Sequence, residues 1–190
     1  MNTANLITIA SIPVAVSFWE HASLWSIRLS LLSMVIALAM QLRGLRAVDR
    51  RVVSIWFLGS LLALGHSIGS LLTFHHGSQA DAVASTAEQT RELLGFAFGA
   101  GLYVNYVFVL VWIIDASFRM IAPGRYERLP AFYYQCVNCF LIFIAFNGAI
   151  VFKAGIVRWI GCGCCALLVY LWWDQKLLFG GAEIQKKRKM

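Results

Sequence analysis

The sequence predicts an all-α protein, a polytopic transmembrane helix bundle with six spans and both termini in the cytoplasm. Of its 190 residues, 60% are hydrophobic and 13% are charged, whereas about a quarter of a soluble domain is charged. So few polar groups cannot cover a surface in water, which makes lipid the main solvent. The apolar residues also form runs of membrane-crossing length. An open sheet edge has no hydrogen-bond partner in lipid, so these runs are predicted as helices.

We expect one integral membrane domain over residues 1–190, because no stretch remains for a second, soluble domain. A hydrocarbon core takes about 20 helical residues to cross. The predicted spans are 5–19, 23–42, 52–74, 93–115, 132–152 and 155–173. The first run is short and contains Pro13. The alternative is that this run is a removed signal peptide. Such a segment needs a basic leader, which this run lacks. Its removal would leave the other five spans unchanged.

The segment between the third and fourth spans is the longest predicted outer connection. It contains Ser85-x-x-Glu88, a capping-box pattern that starts a helix. We therefore expect a helix from about residue 86 to 115 whose first turns project beyond the bilayer.

Basic residues orient the spans. The loops after the second and fourth spans and the tail 174–190 hold four, three and five of the sixteen Lys and Arg residues. All three segments fall on one side of a six-span chain, and the positive-inside rule makes that side cytoplasmic. The tryptophans fall near predicted span ends, as in aromatic belts. We expect the tail to contact anionic lipid headgroups through Lys186, Lys187, Arg188 and Lys189.

His66 is the most informative polar residue inside a span, because an ionisable group in the membrane indicates a site. Gly65 and Gly69, and in the next span Gly95 and Gly99, form small-xxx-small patterns typical of close helix contacts. We expect the third and fourth spans to meet there, with His66 near the seam, where it either forms a site or hydrogen-bonds to a neighbouring helix. The candidate site in the outer half comprises His66, Arg28, Glu92, Tyr103, Asn105 and Asn147, with Glu92 as a partner for Arg28.

A metal or haem site has weak support. The histidine ligands would be His21, His75 and His76 on the outer side, where they could share a surface ion. A bis-histidine haem needs two imidazoles at similar depth on facing helices, and His66 has no such counterpart. We therefore favour no cofactor.

The cysteines and the acidic end of the fourth span indicate packing. Cys136 and Cys139 lie near the inner end of one span, and the group Cys162, Cys164 and Cys165 lies in the outer part of the next. Their heights differ too much for one tetrahedral ion, so we expect them to serve helix packing. Asp115 and Arg119 are expected to form an i,i+4 pair at the membrane exit.

The activity is not readable from motifs. No phosphate-binding loop, dinucleotide fingerprint, serine-hydrolase elbow or zincin motif is present, and no nucleic-acid module accompanies the net charge of +7. The favoured function is a structural or accessory component of a membrane assembly, with a membrane-protein partner or a homo-oligomer. The alternatives are a small transporter or channel lined by Arg28, His66, Asn105 and Asn147, and a membrane haem or metal protein. The default location is a bacterial plasma membrane.

Overall fold

A computed structural model describes the backbone of residues 4–151 and 155–188, and the side chains of residues 18–151 and 155–174. All regular elements within these ranges are helical, which confirms the all-α prediction. They are α1 (Ala4–Leu42), α2 (Arg50–Phe74), α3 (Gln79–Leu94), α4 (Gly101–Ile121), α5 (Pro123–Tyr126), α6 (Ala131–Phe146), a π-helical turn (Asn147–Val151) and α7 (Ile156–Arg188). Five of the described segments are long and apolar enough to cross a membrane: Phe18–Leu42, Arg50–Phe74, Gly101–Ile121, Ala131–Val151 and Ile156–Asp174.

The predicted division between the first two spans is not found. Helix α1 runs without a break from Ala4 to Leu42, through residues 20–22 where we expected a turn that contains His21. These three residues are polar or small but include neither Gly nor Pro, and polarity alone does not end a helix. Most of the predicted span 5–19 lies outside the described side chains, so the six-span count is not confirmed.

The predicted single helix over residues 86–115 is wrong, because two helices occupy this region. Helix α3 begins after Ser78, whose side chain accepts a hydrogen bond from the backbone N–H of Asp81 at 3.2 Å. It ends at Gly95, which has a φ of +81°, a left-handed conformation that glycine adopts readily. The predicted fourth span corresponds to α4, which runs from Gly101 to Ile121 rather than from residue 93 to 115. Ser85 therefore lies inside α3 rather than at its start.

The first of two compact units comprises residues 1–31 and 58–113. Ser30 donates a hydrogen bond to the carbonyl oxygen of Gly59 at 2.7 Å and joins α1 to α2. The predicted glycine seam between the third and fourth spans is wrong. A Cβ on Gly69 would meet Ser23 of α1 at 3.4 Å, and a Cβ on Gly99 would meet Val83 of α3 at 2.8 Å, while Gly65 and Gly95 have open space.

The second unit comprises residues 32–57 and 114–190. Its core contains the end of α1, the start of α2, the end of α4 and Tyr126 of α5. A Cβ on Gly161 of α7 would lie 2.9 Å from the Ile150 side chain, so α7 packs closely on the π-helical turn. Arg158 donates a hydrogen bond to the carbonyl oxygen of Ile150 at 3.0 Å. The π-helical turn that follows α6 and helix α7 are therefore neighbouring elements.

Candidate functional site

His66 is part of a contact between α1 and α2. Its Nδ1 lies 2.8 Å from the carbonyl oxygen of Ser23 and 3.3 Å from the Ser23 hydroxyl. A carbonyl oxygen only accepts hydrogen bonds, so Nδ1 carries the proton and donates it. The side chain thus holds two helices together, which is the packing alternative for this histidine.

Four of the other five predicted outer residues are more exposed than His66. Arg28, Glu92, Tyr103 and Asn105 are exposed. The guanidinium of Arg28 lies 5.0 Å from the centre of the Trp25 ring, and no ion pair joins Arg28 to Glu92 in the described residues. Tyr103 and Asn105 are two positions apart on α4, so they point about 200° apart.

Asn147 belongs to the second unit, and its amide nitrogen donates to the carbonyl oxygen of Phe143 at 2.7 Å. This bond lies within its own helical segment. It satisfies one amide N–H locally, at the point where α6 gives way to the π-helical turn.

The candidate metal ligands are dispersed. His21 is exposed on α1, and His75 and His76 follow the end of α2, with His76 at a φ of +49°. Within residues 18–151 and 155–174, no group of three or more His, Cys, Asp or Glu side chains could hold a metal ion. All five cysteines are free thiols on α6 and α7.

The second unit contains a buried carboxylate that accepts hydrogen bonds from four side chains. Asp115, near the end of α4, is fully buried. Its Oδ2 accepts hydrogen bonds from Nε1 of Trp56 and from Nε of Arg119, both at 2.8 Å. Its Oδ1 accepts from the hydroxyl groups of Tyr126 at 2.8 Å and Tyr133 at 3.3 Å. A carboxylate has about four lone-pair positions, so these donors satisfy Asp115.

Arg119 is buried beside this carboxylate and lies one helical turn after it. Its guanidinium carbon is 4.5 Å from the centre of the Trp56 ring and 5.1 Å from that of Tyr126. Cation–π attraction from both rings adds to the ion pair with Asp115. Nη1 is buried and has no hydrogen-bond partner in the described part of the chain. The predicted Asp115–Arg119 pair is confirmed, but it lies in the core and not at an exposed membrane exit.

Three tyrosines surround the charged pair. Tyr126 makes edge-to-face contacts with Phe118, Tyr133 and Tyr134, at centroid distances of 5.1 to 6.0 Å. The Tyr134 hydroxyl donates to the carbonyl oxygen of Tyr126. Burial, with the nearby Asp115 carboxylate, raises the pKa of Tyr126 well above its ordinary value. Tyr126 therefore stays protonated and continues to donate to Asp115.

This arrangement, which we call the Asp115 cluster, consists of Asp115, Arg119, Trp56, Tyr126 and Tyr133. It joins the first turns of α2 and α6 to the end of α4 and to α5. Because the carboxylate is saturated with donors, it is unsuited to act as a general base or a metal ligand. The cluster therefore serves to hold these four helices together, and we call it a buried lock.

Sequence reasoning found only the charged pair of this cluster. The tryptophan pattern predicts Trp56 in an aromatic belt, and no motif points to Tyr126 or Tyr133. A usable signal was present, since a carboxylate inside an apolar span needs several donors. Three tyrosines follow it within twenty residues.

The fold and the cluster define an all-helical protein with five candidate membrane-crossing helices and a buried charged lock. No protein-family model matches the sequence, and no curated protein or solved structure is significantly similar to it.

Proposed function

We propose that this protein is a structural or accessory component of a larger membrane assembly, which it joins through α6 and α7. The observation that carries the proposal is the sparse packing of these two helices within the chain. In each of them, only 6% of the 18-residue apolar stretch that would cross the membrane is buried inside the chain. The corresponding share is 22 to 33% in α1, α2 and α4. Helices with so little internal packing meet either lipid or other helices.

The composition of α6 and α7 favours other helices. Small and polar residues are enriched where membrane helices contact each other, and these two helices hold all five cysteines, together with Gly163, where a Cβ would meet nothing within 4 Å.

The native cysteines provide a direct test. A bismaleimide added to membranes that contain the full-length protein is expected to link cysteines on α6 or α7 to a second subunit. The product would be a discrete band whose mass identifies another copy or a different protein. A variant with all five cysteines changed to serine is the control and should give no band. A protein that stays monomeric in membranes and in mild detergent, with no linked product, would overturn the proposal.

The topology belongs to the same proposal. We place the arginine-rich segments after α1 and α4 in the cytoplasm, on the positive-inside rule. With Phe18–Leu42 as the first crossing, the C-terminus is cytoplasmic and residue 18 lies on the opposite side. A cytoplasmic N-terminus, as predicted from six spans, requires residues 5–19 to cross as well. The tail lysines lie outside the described side chains, and their contact with headgroups stays a prediction, as does the bacterial plasma membrane.

The two alternative functions also stay predictions. A transport path needs Arg28, His66, Asn105 and Asn147 to line one cavity. A haem or metal protein would show an absorption band or bound metal after purification. Absorption spectroscopy and metal analysis on the same preparation test that alternative.

A further inference from the structure

The two segments that follow α1 and α4 are rich in arginine and contain no lysine. Residues 43–51 hold four arginines, and residues 122–130 hold two. The tail is different, because four of its five basic residues are lysines. The exposed members of the two segments, which we call the arginine patch, are Arg43, Arg46, Arg50, Arg51, Arg125 and Arg128.

Contacts within the second unit hold the two segments together. Arg46 forms an ion pair with Glu127. Beneath them, Asp115 accepts hydrogen bonds from Trp56, five residues after Arg51, and from Tyr126, which directly follows Arg125. The buried lock therefore fixes the backbone that carries the patch, and an interacting ligand meets a preorganised surface.

The positive charge of the patch is largely uncompensated. Its two segments contain only two acidic residues, Asp49 and Glu127. Glu127 is paired with Arg46, and Asp49 accepts a hydrogen bond from the backbone N–H of Arg51 at 2.9 Å. Asp49 thus caps the start of α2. Arg43, Arg50 and Arg125 form no ion pair with any described residue.

Arg50 and Arg51 also depart from the usual preference for acidic residues at the start of a helix. They occupy the first turn of a 25-residue helix, where the helix dipole favours anions and disfavours cations. Violations of local rules concentrate at functional positions. Here the positive helix terminus and two guanidinium groups add to the same electrostatic field, which attracts an anion.

Phosphate is the anion that suits this surface best. The planar guanidinium donates two parallel hydrogen bonds to a phosphate, whereas lysine acts as a point charge. The patch lies beside the ends of two candidate crossings, at Arg50 and Ile121. Lipid phosphates of the bilayer surface occur at this level. We propose that the arginine patch binds the phosphate headgroup of an anionic phospholipid as a defined site, distinct from diffuse attraction to the lysine-rich tail.

The test uses full-length protein in detergent, with phosphatidylglycerol, phosphatidylcholine or inorganic phosphate as the probe. Native mass spectrometry measures retained lipid, and melting temperature measures stabilisation. The site variant is R50Q/R51Q/R125Q, which leaves the Asp115 cluster intact. The matched control, K186Q/K187Q/K189Q, also removes three charges.

The expected result is that phosphatidylglycerol stabilises the wild type and the tail control and remains bound to both. The site variant should melt at the wild-type temperature without lipid and bind phosphatidylglycerol at least about tenfold more weakly. Equal losses in the two variants would overturn the proposal in favour of diffuse attraction. Equal stabilisation by phosphatidylcholine would overturn selectivity for anionic lipid, and displacement of lipid by millimolar inorganic phosphate would indicate a site for free phosphate.

Discussion

At the scale of single residues, the stability of the fold depends on Asp115, a charged residue near the end of the apolar helix α4. Removing one partner of a buried ion pair leaves the other uncompensated, which costs more than the pair itself contributes. Asp115 is the residue for which this applies most strongly, because four side chains donate to it.

The substitution Asp115→Asn is expected to lower the free energy of unfolding by about 3 kcal/mol or more, because Arg119 stays buried without its counter-ion. Melting in detergent, followed by tryptophan fluorescence, measures the change. The control is Glu127→Gln, the same chemical change in an exposed ion pair, which should shift the transition far less. Equal shifts for the two variants would show that the buried pair has no special role.

Tyr126 gives a pH prediction. Its folded-state pKa is raised by burial, whereas an unfolded tyrosine ionises near pH 10. The contribution to stability is therefore present below about pH 10 and is lost as the pH rises further. The melting temperature of the wild type should fall more steeply above pH 10 than that of Tyr126→Phe. Parallel curves for the two proteins would contradict this assignment.

At the scale of elements, the last four predicted spans match candidate crossings to within two residues, apart from α4, whose start and end both lie later than predicted. Long apolar runs of membrane length leave little choice of structure. The breaks were harder to predict, because Gly95 ends a helix through its backbone conformation, which composition does not reveal. The glycine contacts were also misassigned, since a spacing pattern names a helix face but not the neighbour that it meets.

The corner between α3 and α4 depends on Gly99. Thr90 accepts a hydrogen bond from the backbone N–H of Phe98 at 2.7 Å, which brings Gly99 against Val83. A Cβ at Gly99 would lie 2.8 Å from both the carbonyl oxygen and a side-chain carbon of Val83, so backbone atoms must shift.

We expect Gly99→Ala to destabilise the protein by about 1–3 kcal/mol, the usual range for overpacking. Gly65→Ala is the matched control, because a Cβ there meets nothing within 4 Å and alanine favours helix by about 1 kcal/mol. Melting temperatures of the two variants in one detergent measure the difference. A loss at Gly65 as large as that at Gly99 would argue against the described corner.

At the scale of the whole molecule, the sequence predicted the all-helical class and helices of membrane-crossing length, but not the candidate site. Hydropathy and charge asymmetry are sums over many residues, so errors at single positions matter little. The Asp115 cluster joins residues 56, 115, 126 and 133, and its assembly depends on tertiary packing. The predicted outer site is based on approximate depth alone, and depth does not specify which side chains are neighbours.

The proposed topology places the arginine-rich segments and helix α3 on opposite sides of the membrane. Cysteine labelling in a variant without native cysteines tests it most directly, with single cysteines at the exposed positions Arg43→Cys and Asp81→Cys. A membrane-impermeant maleimide added to intact cells should label position 81, and should label position 43 only after permeabilisation. Labelling of both positions in intact cells, or of neither, would contradict this topology.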